Sequence, residues 1–401
     1  MNTYFKITLI VLLAQFEAAI AGSNGLNIED FLKRVQAQSP EIQVEKSMKE
    51  EFKARSQGVR IPPPMVGFMN MKDSGGNNQG IEVTQEVPFP TKIMKEKEVR
   101  DLESQAQGAN FSYKKNEILL EARKAYFEFW KSFENKKILE EKLTWLKNHV
   151  RLSRSIARSD STGQIHLLAT ESELDQLDNE ILEAQTDLIE KTNALKTFVP
   201  DLQTENLIPE SWPKIEIITV EKNQKGLLVD AKESDLKAAS SAKDLKKQSY
   251  FPDLILRYRS YNGNDMTPRN EEIMIGVTLP FLFFWQPQSE VAEASARLQR
   301  AEAEVLKARL TVETQLKSLF EKSKAISKQV ENFKEKLIPR AHKRMKLVEN
   351  LTVRTMEGLD EHRMVMLDYL DLRQKEINSR FEIEKVNIEI LKIVNYQEDK
   401  L

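Results

Sequence analysis

Four histidines, His149, His166, His342 and His362, are the residues of this chain best suited to bind a metal or move a proton near neutral pH. They are scattered along the sequence, and none forms a tight ligand set with carboxylates. His362, with Asp360, Glu361 and Asp368 close by, has the composition of a cation site, but the same residues on a helix describe a solvated charged face. There is no glycine-rich phosphate loop and no nucleophile motif. The sequence gives no support for catalysis or for a cofactor. Elsewhere charge follows a different rule: Glu82 and Glu86 alternate with Ile81, Val83 and Val87, and Arg257 and Arg259 alternate with Leu254, Leu256 and Tyr258. Alternation at period two places the charges on one face of a strand and the apolar residues on the other. One face suits water and the other suits lipid.

The elements that position these faces are organised around the stretch from Ile273 to Leu319. Ile273, Ile275, Val277, Leu279, Phe281 and Phe283 alternate as a strand with one apolar face. From Val291 the period changes, and Ala294, Leu298, Ala301, Val305, Ala308, Val312, Leu316 and Leu319 step by threes and fours as a coiled-coil seam. The aromatic run Phe281, Phe283, Phe284 and Trp285 at the junction reads either as a membrane-interface belt or as packing where strand meets helix.

The same unit occurs about 194 positions earlier, where Val83, Thr84 and Phe89 precede Val277, Thr278 and Phe283, and Glu141-Lys142-Leu143 precedes Glu335-Lys336-Leu337. Gly163 and Gly358 pair one residue off that register. The chain thus reads as a signal peptide at 1–21, a first repeat at 22–199, a linker at 200–213 and a second repeat at 214–401. Ile7 to Leu13 is the apolar core of the signal, and Ala19-Ile20-Ala21 supplies its cleavage site. In the first repeat the sequence predicts a helix from Leu26 to about Val59, a hairpin over Met65–Lys72 and Gly80–Val87, a helix of about 70 residues from Thr91, and a helix returning after Gly163 to Phe198. In the second repeat it predicts a helix over Val220–Gln248, a strand over Leu254–Tyr261, the strand and seam helix above bent at Pro339, and a last helix from Glu361 to Ile393. Charged residues make up 30% with a net charge of -2, so no basic face for nucleic acid is present. No segment after the signal is apolar enough for a transmembrane helix. A membrane crossing would need strands in a closed barrel.

On these features the chain resembles the bacterial outer membrane efflux family typified by TolC. The resemblance rests on the duplicated order of helix, hairpin, long helix, turn and returning helix, and on the runs Gly80 to Pro90 and Ile275 to Phe283, each passing into a charge-rich helix. It implies a mainly α fold with membrane β structure: duplicated long helical hairpins forming an α-barrel, and four strands per chain closing a 12-stranded β-barrel as a homotrimer. It also implies an exit duct in the cell outer membrane that extends into the periplasm. Such a duct is a passive conduit for efflux or type I secretion, serving a periplasmic adaptor protein and an inner-membrane pump. By the same resemblance Gly163, Gly358, Leu359 and Asp360 fall at the periplasmic tips that meet the adaptor. Asp368 and Asp371, with Glu82, Glu86, Arg257 and Arg259, fall where the pore is lined. The family commonly carries a tyrosine where Thr355 stands here. The alternative reading is a periplasmic coiled-coil protein without a pore.

Overall fold

The computed structural model describes residues 25–73, 76–156, 161–204, 207–210, 226–262, 270–283, 285–350 and 356–394. The signal peptide, Thr355 and Phe284 lie outside these residues. By packing, the chain divides into two compact units, each drawn from both halves of the sequence: Met1–Gln43 with Lys115–Gln224 and Thr314–Leu401, and Val44–Lys114 with Lys225–Glu313.

In chain order the first elements are β1 (Gly25–Leu26), α1 (Ile28–Gln38) and α2 (Pro40–Ser56). The single helix expected here is two, for a local reason. Asn27 caps α1 by accepting from the Glu29 N–H, but Ser39 precedes Pro40 and is held extended at φ −60° and ψ 124°. The proline ring crowds the residue before it out of the helical region, while at the first position of α2 the missing N–H costs nothing. Then come β2 (Met65–Asp73), β3 (Gly76–Val87), the 67-residue α3 (Pro90–Ile156) and α4 (Ser161–Lys196). After β4 (Ile208–Pro209) the second half follows as α5 (Leu227–Lys247), β5 (Leu254–Tyr261), β6 (Asn270–Val277), α6 (Trp285–Asn332), α7 (Ile338–Asn350) and α8 (Met356–Ile393).

Between α6 and α7 a single π turn occupies Phe333–Leu337. Pro339 explains it, because a proline has no N–H for the carbonyl four residues back and its ring collides with that carbonyl, so the extra residue of a π turn relieves both. No helix among the described residues is long and apolar enough to cross a membrane.

In the first unit the core gathers on Tyr126, Phe127 and Phe129 of α3, which are buried with Phe31 and Val35 of α1, Leu195 of α4 and Phe381 of α8. Tyr126 donates its hydroxyl to the Leu26 carbonyl at 2.7 Å, fixing β1, which pairs in parallel with β4 through Gly25–Ile208 and Leu26–Pro209. Beside this core, Arg123 of α3 and Glu384 of α8 form a buried pair at 3.2 Å. A second cluster joins Trp130 and Ile138 of α3 to Met366, Leu370 and Ile377 of α8.

The second unit is built on an antiparallel sheet of order β2-β3-β5-β6, so the two hairpins lie side by side. Their seam is β3 on β5, from Gly80–Tyr261 to Val87–Leu254. Gly80 is required there: a Cβ at this position would stand 2.4 Å from the Ser260 carbonyl oxygen. In the same unit α5 is tied to α6 by Lys232–Glu304 and Arg309–Glu233 at 3.0 and 2.6 Å. The seam residues Ala294, Val305 and Ala308 are buried as their spacing requires.

The strand expected to run from Ile273 to Phe283 ends at Val277. Pro280 cannot donate to a ladder, and Pro280–Phe283 form a 3₁₀ turn instead.

Candidate functional site

The register of the sheet decides what its two faces present. Cross-strand partners Val66–Val83–Tyr258–Ile273 and Gln85–Leu256–Ile275 place the larger apolar residues on one face, with Phe68, Ile81 and Leu254. This face is open: Phe68 is 71% exposed, Ile273 76% and Ile275 70%. On the other face Glu82 lies opposite Arg259, and Thr84 opposite Arg257. The Glu82 carboxylate accepts from Arg259 Nε at 2.8 Å, lies 3.3 Å from Arg257 Nε, and accepts the Thr84 hydroxyl at 3.0 Å. Glu272 of β6 extends the row at 3.8 Å from Arg259. Three of the four charged residues singled out from alternation are therefore one ion-paired cluster. Glu86 shares their face but stands opposite Ile255.

Where the sheet meets the helices, Asp253 holds the junction. Its carboxylate accepts from the Phe89 N–H at 2.9 Å and pairs with Lys92 of α3 at 2.7 Å, and its own N–H donates to the Thr278 hydroxyl at 2.7 Å. Phe89 stacks on Phe251 with ring centroids 5.3 Å apart. Phe281, Phe283 and Trp285 are all more than half exposed, and Phe283 meets Trp285 edge to face.

In the first unit Gly163 and Gly358 are each the third residue of a returning helix, α4 and α8. Residues 157–160 and 351–355, just before those helices, lie outside the described residues. Leu359 is 2% exposed, so its side chain packs inward and offers no surface for a partner. Asp360 lies 3.6 Å from His166 Nδ1. Asp368 is paired with Arg344 of α7 at 3.7 Å, and Asp371 with Lys375 of its own helix at 2.6 Å.

Three of the four histidines come near one another, while His342 lies apart, against Tyr369. His149, on α3, stacks on Trp145 at 5.2 Å, and the other neighbour of Trp145 is His362 of α8 at 5.6 Å. His166 of α4 faces Asp360 of α8, and Arg363 of α8 bonds Glu173 of α4 at 2.9 Å. Burial first, then the nearby Arg363 and His362, hold the His149 imidazole down at about 4. Sequence distance hid this group, although His166 and His362 stand three and four residues beyond Gly163 and Gly358. Among the described residues no group of three or more His, Asp or Glu side chains is placed to hold a metal ion.

No protein-family profile and no curated protein sequence matches the chain. Solved structures do. The outer-membrane channel CmeC of Campylobacter jejuni is 12% identical, with 93% of this chain and 88% of that one covered at a TM-score of 0.75. VceC, an outer membrane protein of Vibrio cholerae, is 13% identical, with 91% and 95% covered at 0.69. The open state of the MtrE outer-membrane channel of Neisseria gonorrhoeae is 13% identical, with 91% and 88% covered at 0.70. Identities this low carry the comparison as far as architecture, and on that ground the chain has the fold of the outer-membrane efflux channels, the TolC-like architecture that its sequence resembles.

Proposed function

We propose that the chain is one protomer of a homotrimeric outer-membrane exit duct, set in outer-membrane lipid and extending into the periplasm. The observation that carries this reading is the four-stranded sheet, apolar and exposed on one face and ion-paired on the other, with the open edges β2 and β6. In hydrocarbon an open edge leaves backbone groups without partners, so a membrane sheet must close on itself. Four strands are too few, because about eight is the smallest membrane barrel. Three copies joined edge to edge give twelve. The apolar face then meets lipid, the Glu82, Arg257 and Arg259 cluster with Glu86 faces water inside, and Phe281, Phe283 and Trp285 sit at the membrane interface.

Transport through such a duct is passive. Its partners are a periplasmic adaptor, meeting the tips near Gly163, Gly358 and Asp360, and an inner-membrane pump. Asp368 and Asp371 border the inner mouth. Reconstitution of the purified protein in planar bilayers tests the reading: discrete single-channel steps are expected, and bilayers that stay silent between pH 7.5 and pH 4.5 would contradict it.

A further inference from the structure

We propose that the ends of α3, α4 and α8 form an acid-operated latch, which holds α3 on α8 while His149 is uncharged and lets α3 part from α8 when it is protonated. The latch is a property of the chain itself, and only its use as a gate rests on the duct reading. Trp145 is the shared partner, touching both imidazoles, one from its own helix and one from α8. His149 is 3% exposed, and neither its Nδ1 nor that of His362 has a hydrogen-bond partner among the described residues. A proton on His149 would create a charge with little water around it, facing Arg363 and His362 of α8. Asp360 of α8 and Glu173 of α4 oppose this repulsion, but each already has a cationic or protonatable partner, Glu173 in Arg363 and Asp360 in His166.

The two contacts of α8 differ in how they are held. α4 is held on α8 by Arg363–Glu173 at 2.9 Å, an ion pair that needs no histidine proton. Protonated His149 is stable only in water, so the α3 end is the part released. Since a solvated histidine titrates near its ordinary value and the closed one near 4, the released form gains on the order of 100-fold between pH 7.5 and pH 4.

The test is amide hydrogen exchange of the full mature chain in detergent, corrected for the intrinsic pH dependence of exchange. Protection in the α3 segment from Trp145 to Ser155 is expected to fall at least tenfold from pH 7.5 to pH 4.5, at unchanged total helicity. His149→Phe keeps the ring and cannot be charged, so its protection is expected to stay within twofold over the same range. His362→Gln, at a half-buried position, is expected to move the midpoint to lower pH, whereas His342→Gln, outside the latch, should titrate like the parent. Protection that holds to pH 4.5 in the parent overturns the latch, and so does parallel loss in the parent, His149→Phe and His362→Gln. Exchange is read whether or not the particle conducts, so failure of the latch is distinct from failure of the duct.

Discussion

Glu82 is the residue on which the character of the polar sheet face turns, since its single carboxylate is shared by two guanidinium groups. Glu82→Gln leaves Arg259 its weaker contact with Glu272 and removes the carboxylate beside Arg257, and in a trimer the change is repeated three times. The expected outcome is a reversal potential shifted toward anion selectivity, measured across bilayers under a salt gradient. At Arg123 the arithmetic of burial decides. Burial, opposed by Arg123, raises the Glu384 carboxyl, so the pair is held by geometry at a high desolvation cost. Arg123→Ala is expected to destabilise by about 3–5 kcal/mol, and the double change Arg123→Met with Glu384→Leu by much less, as thermal denaturation would show. His149 sets a pH slope: its folded value lies below the unfolded one, so the unfolded chain binds the extra proton and stability falls as pH drops from about 6.5 to about 4. Allowing for solvent screening the loss is about 2–3 kcal/mol, and His149→Phe should flatten the slope in acid denaturation.

At the scale of elements, the sheet depends on two positions that no periodicity reveals. Asp253 joins β5 to the start of α3 and to Thr278 past the end of β6, and Asp253→Ala removes together the ion pair with Lys92 and the side-chain acceptor of the Phe89 N–H. A cost of about 2–3 kcal/mol is expected, read as a lower melting temperature, with Asp253→Asn intermediate. Gly80 sits in the β3–β5 seam with a backbone carbonyl where its Cβ would be, and Gly80→Val should part the two hairpins. Much else at this scale was legible. Alternation gave β5 its observed bounds, Leu254–Tyr261, and the small-residue stepping from Ala294 to Ala308 gave the buried side of α6. The failures were local chemistry overriding pattern: Pro40 split one helix into two, and Pro280 ended β6 while the apolar alternation continued to Phe283. The histidine group at the ends of α3, α4 and α8 was illegible for another reason. α8, from the second half of the chain, must pack against the consecutive helices α3 and α4 before His362 can join His149 and His166.

For the whole molecule, the determining feature is an unfinished sheet. Faces and strand number follow from the sequence, because side-chain alternation is local, but in the proposed duct the fate of edges β2 and β6 would depend on other chains. Their exposed residues Val66, Phe68, Ile273 and Ile275 are ill suited to water and well suited to lipid beside neighbouring strands. On the proposed reading a protomer alone would have no stable place in a membrane, and the duct would be a property of the assembly. The native mass of the particle extracted by detergent from the outer-membrane fraction tests this most directly. Three chains per particle, insoluble without detergent, is the expected result; a monomer or dimer recovered in the soluble periplasmic fraction would contradict the barrel and leave a coiled-coil protein without a pore.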